Sequence, residues 1–181
     1  MSARKQTIPA KAAATVGTHG SNGTTAGSDS AHAPNLIDQV RHLLDLGKAQ
    51  EAFDLINARG GSAPAMKNIR GVCLMRMQQP ALAVRTYRSI VLDSSGISLR
   101  TDVPTVFKTN FATALLLDNN ISGCQSVLDE IRDESHPAAQ KLRAVISRWT
   151  SELSFLQRLA WKAGSQPKHP LTIDFVPGDV P

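Results

Sequence analysis

The chain has 181 residues, 41% of them apolar and only 4% aromatic, with a formal net charge of +5 and a pI of about 9.6. That is room for one domain with tails, and an apolar share made mostly of Ala, Leu, Val and Ile suits close helix packing better than a sandwich or barrel. No apolar run reaches the roughly eighteen residues of a membrane span, so none is expected.

Residues 1–33 are of low complexity, with the stretch from Gly17 to Ser28 built almost wholly of Gly, Ser, Thr, Asn and Ala. Such a segment buries too little apolar area to offset its ordering entropy, and a flexible arm is expected. It holds the basic residues Arg4, Lys5 and Lys11 and no acid before Asp29. It lacks the apolar stretch of a secretory signal, while Pro9, the glycines and the missing amphipathic stripe speak against a transit peptide. A cytoplasmic protein is the expectation.

Order begins at Pro34-Asn35. Asn35 caps a helix with Leu36, Ile37, Val40, Leu43 and Leu44 on one face, and Gly47 ends it. A second helix turns Ala49, Ala52, Phe53 and Ile56 inward and stops at Gly60-Gly61. Pro64 opens the next, with Ile69, Val72, Cys73 and either Leu74 or Met77 inward. Pro80 then opens a helix carrying Leu82, Ala83, Tyr87, Ile90 and Val91. After a polar stretch from Asp93 to Asp102, Pro104 begins a third pair. Phe107, Phe111, Ala114 and Leu115 mark its first helix; Ile121, Val127, Leu128 and Ile131 follow past Asn119-Asn120. From Pro137 a stripe of Leu142, Val145, Ile146, Trp149, Leu153, Leu156 and Ala160 predicts one long helix ended by Gly164, a cap for the last pair over residues 135–164. Residues 165–181 read as an extended tail whose Leu171, Ile173, Phe175 and Val176 dock on the domain or on a partner.

Three helix–turn–helix pairs of similar size are a repeat signature. In the middle pair Gly71, Leu74, Ala83 and Tyr87 fall at the small, aromatic, alanine and aromatic positions of a tetratricopeptide repeat, which this pair resembles. In the first pair Leu36, Val40, Leu43, Gly47, Ala52 and Ile56 take the corresponding places; in the third, Ala112, Leu115, Cys124 and Leu128 keep the order of sizes. Small residues let paired helices approach and larger ones fill the gap on the neighbouring repeat. Lys67, Arg70 and Ser95 depart from the family pattern, and the intervals Ala52–Ala83 and Ala83–Cys124 are unequal. The resemblance implies an all-α fold: about three antiparallel pairs over residues 34–134 in a right-handed superhelical array, plus the C-terminal capping helix.

Catalytic chemistry has no candidate. His19, His32, His42, His136 and His169 are scattered, and no HExxH, phosphate-binding glycine loop or nucleophile elbow occurs. Cys73 and Cys124 sit in apolar helical patterns and read as buried thiols; Asp129, Glu130, Asp133 and Glu134, with Arg132 among them, read as a solvated face. No enzyme, cofactor or metal is expected. Between Leu55 and Leu92 there is no acid, while Arg59, Lys67, Arg70, Arg76, Arg85 and Arg88 fall there. A second basic run holds Lys141, Arg143, Arg148, Arg158 and Lys162. Clustered cations attract acidic partners.

The resemblance implies that the first helix of each pair lines a concave face, with Ile37, Arg41, Leu44, Asn68, Met75, Arg76, Thr109 and Thr113 in its groove. The expected function is a protein–protein adaptor or scaffold binding a short acidic, or mixed apolar and acidic, segment there. The alternative is a nucleic-acid-associated repeat protein using its basic faces. Nothing in the residues fixes an oligomeric state.

Overall fold

In the computed structural model residues 35–133, 135–165 and 171–180 are described, and the arm expected over 1–33 lies outside them. Among the described residues there are eight helices: α1 Leu36–Asp45, α2 Ala49–Arg59, α3 Pro64–Arg76, α4 Pro80–Val91, α5 Thr105–Leu117, α6 Ile121–Glu130, α7 Pro137–Glu152 and α8 Phe155–Lys162. The β structure among them is one isolated bridge, Leu92 with Leu99. The starts follow the expected signals. Asn35 accepts from Asp38 N–H at 3.0 Å, and Pro64, Pro80 and Pro137 each stand in a first turn, where a missing N–H costs nothing.

The three pairs turn in one way. Gly47, Gln78 and Asn119 take left-handed backbone, with φ of +74°, 58° and 58°. The next N–H reaches back across each helix end, from Lys48 to Leu43 O, Gln79 to Leu74 O and Asn120 to Leu115 O. Ala52, Ala83 and Cys124 stand at one shared offset past that residue and are fully buried; Ile56, Tyr87 and Leu128, one turn on, are buried too. The unequal intervals arise outside the hairpins. Residues 60–63 join the first pair to the second, whereas the longer stretch 92–104 joins the second to the third.

Gly71 shows why a small residue is needed. A Cβ there would stand 2.7 Å from Tyr87 Oη, inside van der Waals contact. Tyr87 is itself fully buried and donates to Asn68 O at 3.0 Å.

The expected long terminal helix is two helices. Leu153 is extended, with ψ 139°, and Ser154 opens α8 with a capping box. Its Oγ accepts from Gln157 N–H at 3.3 Å while its own N–H donates to Gln157 Oε1 at 2.9 Å. The apolar stripe is therefore buried only along α7 and Leu153; Leu156 is 73% exposed. α8 is held by Trp161, which meets Trp149 edge-on with centroids 5.3 Å apart. Leu82, expected inward on α4, is exposed instead. α5 packs against α3 and α7 as well as α4 and α6, so α3, α5 and α7 are successive neighbours.

Candidate functional site

α3 and α5 each bring an asparagine into an aliphatic core. Asn68 is 0% and Asn110 1% exposed, and buried amides must find partners. Asn110 Nδ2 donates to Asn68 Oδ1 at 3.0 Å and to Asp179 O at 2.8 Å, and Asn110 Oδ1 accepts from Asp179 N–H at 2.9 Å. The chain's own C-terminal segment thus lies over this pair, held by its main chain. Asn68 Nδ2 has no acceptor among the described residues.

Arg76, the last residue of α3, makes the second hold. Its Nη1 donates to Leu44 O at 3.1 Å, its Nε to Pro177 O at 3.2 Å and its Nη2 to Gly178 O at 3.1 Å. A planar fork spent on three carbonyls fixes the path of a main chain and leaves side chains free to vary. Between these holds Gly178 is buried at φ +81°, and a Cβ on it would meet Met75 Cε at 2.7 Å and Val72 Cγ2 at 3.0 Å. The left-handed backbone favours glycine, and the crowding by Val72 and the end of Met75 adds to that preference.

The rest of the segment is irregular, with bends at Asp174, Phe175 and Pro177. Leu171, Ile173, Phe175 and Val180 pack on the core, while Thr172, Asp174, Val176 and Asp179 face outward. Asp174 accepts from Arg148 of α7 at 3.1 Å, and this bond holds its carboxyl below the usual range. From Asp174 to Asp179 the chain therefore engages α7, then α3 and α5. A recess of about 750 Å³ stays open beside it, lined by Leu44, Ala49, Met75, Leu117, Ile173 and Phe175 among others.

Of the residues expected in the groove, Met75 and Arg76 touch the segment, Leu44 shares Arg76 with it, and Asn68 lies beneath it through Asn110. The other four do not gather there. Thr109 and Thr113 are buried, but their hydroxyls bond Val106 O at 3.1 Å and Thr109 O at 2.9 Å on their own helix. Ile37 is half-buried against the core, and Arg41 is exposed beside Asp38 at 3.1 Å. Asn110 and Gly178 were not among the expected residues. An amide set between Phe107 and Phe111, and a glycine in an apolar tail, were the available signals.

Several expected surface cations instead hold carbonyls near helix ends. Arg70 donates to Ile56 O at 3.3 Å and Gly61 O at 2.7 Å, Arg143 to Leu128 O at 2.8 Å, and Arg158 to Leu153 O at 3.1 Å. Cys73 and Cys124 are free and buried; burial pushes their thiols up to about 11 and about 12. Among the described residues no group of three or more His, Cys, Asp or Glu is placed to hold a metal ion, and no helix is long and apolar enough to cross a membrane. Compared with known proteins, the chain matches no family model, no curated protein and no solved structure.

Proposed function

We propose that this chain is a tetratricopeptide-like adaptor, not an enzyme, that holds an extended segment of a partner protein along α3, α5 and α7. The observation that carries this reading is the pair of main-chain bonds between Asn110 and Asp179. A side chain that bonds both main-chain polar groups of one residue recognises any chain that offers them. The three equivalent hairpin turns support stacked repeats, which on this reading wind as a right-handed superhelix with the first helices inside. The segment now in place mixes apolar residues with Asp174 and Asp179, as a mixed apolar and acidic partner would. Because the helices are formed beforehand, most of the ordering cost falls on the peptide.

Peptide display against the full chain tests the proposal. Recovered peptides should bind at least about 10-fold more weakly, by fluorescence anisotropy, to a chain carrying Asn110→Ala and Arg76→Ala, the loss of roughly 1.4 kcal/mol or more. Equal binding to both chains would remove the groove from the function.

A further inference from the structure

Resting on that reading, we propose that residues 173–180 are a tethered copy of the groove's ligand: the partner segment follows the same main-chain path, carries glycine at the place of Gly178, and binds only by displacing this tail. Three observations point the same way. The holds from Asn110 and Arg76 go to main-chain N–H and C=O groups, so a foreign segment can reproduce every one. At Gly178 the groove favours one residue, since the left-handed backbone strains any side chain and a Cβ would press on Val72 and push the end of Met75 aside. The tail is also an incomplete occupant. It leaves the recess of about 750 Å³ beside Ile173 and Phe175 open, and the fully buried Asn68 Nδ2 beneath it without an acceptor among the described residues. A partner with bulkier side chains at those places gains contacts that the tail does not make. Only five residues, 166–170, separate the tail from Ser165 in the sequence, so the tail competes from within the same chain. The tail therefore keeps weak segments out and yields to stronger ones.

The test uses the full chain and a labelled peptide with the sequence of residues 171–180. Gly178→Val removes the tail's fit, and Asp174→Arg sets a like charge against Arg148 at an exposed position that leaves the helices untouched. Gly178→Val should take up the peptide on the order of 10- to 100-fold more tightly than the unaltered chain, and Asp174→Arg, which alters an exposed pair, on the order of a few-fold more tightly. A peptide carrying valine in place of its glycine should bind none of the three. Equal uptake by all three chains would overturn the gating. Failure of the peptide to bind a variant whose Asp179 amide has lost its hydrogen-exchange protection would overturn the mimicry. The groove reading fails separately. Display-selected peptides that depend on Asn110 and Arg76 but are not displaced by the 171–180 peptide would sink this inference and leave the adaptor standing.

Discussion

Asn110 grips Asp179 by both of its main-chain polar groups, at 2.8 and 2.9 Å, across 69 residues of sequence. The same amide satisfies Asn68 Oδ1. Asn110→Ala should therefore release the segment and leave a buried acceptor bare, at a cost of about 1–3 kcal/mol. Hydrogen exchange reads the first effect at the Asp179 amide and urea denaturation the second. An Asp179 amide still protected in the variant would show that other contacts hold the tail.

Gly71→Ala should destabilise the middle pair by about 1–3 kcal/mol, because the added methyl meets the buried Tyr87 ring and neither neighbour has room to move. Tyr87→Phe removes the bond to Asn68 O and should cost about 1 kcal/mol. Combining Gly71→Ala with Tyr87→Leu should cost less than the two single changes summed, since the pair share one space. Additive urea midpoints would contradict the contact.

α8 hangs on its cap, on the bond from Arg158 to Leu153 O and on one ring contact, and no residue in it is buried. Ser154→Ala should weaken that helix by about 1 kcal/mol while leaving the urea midpoint of the domain nearly unchanged. Near-ultraviolet circular dichroism follows the Trp149–Trp161 pair, whose signal should fall. A shift of the whole transition would mean that α8 is part of the cooperative core.

With burial as the first cause, the thiols of Cys73 and Cys124 stay protonated at neutral pH. A disulfide reagent at pH 8 should label neither in the folded chain and both in denaturant. Rapid labelling of either under native conditions would place it at the surface.

Arg148 lowers the Asp174 carboxyl from its ordinary value, so the docked tail favours the ionised form. A depressed value stabilises docking above the usual carboxylate range and stops doing so as pH falls through it, below about pH 4. The effect belongs to an exposed pair and should shrink with salt. Protection of the tail amides, taken relative to their intrinsic exchange rate at each pH, should fall on acidification in the unaltered chain and stay level in Asp174→Asn.

Helix starts and the small-to-large alternation were legible because they depend on neighbours in sequence. Asn35, Pro64, Pro80 and Pro137 announce backbone constraints locally, and Ala52, Ala83 and Cys124 stand at one offset from a turn. The break at Leu153 was hidden by the apolar stripe, which passes through Leu153 and Leu156 unbroken. Side-chain periodicity says nothing of backbone angles, and the polar signal was the Ser154–Gln157 pair on the other side of the helix. The groove's occupant was harder still. Asn110 and Arg76 bond peptide groups rather than side chains, and a carbonyl oxygen has no letter in the sequence. For the same reason Arg70, Arg143 and Arg158 stood out only as members of cation clusters, whereas they hold carbonyls near the ends of α2, α6 and α7.

Ribosomes deliver residues 171–180 after every helix they cross. On the proposed reading, the amides of Asn68 and Asn110 are covered only once that segment has been made, so a shortened chain that stops before residue 171 would offer them to a partner with no strap to prise off.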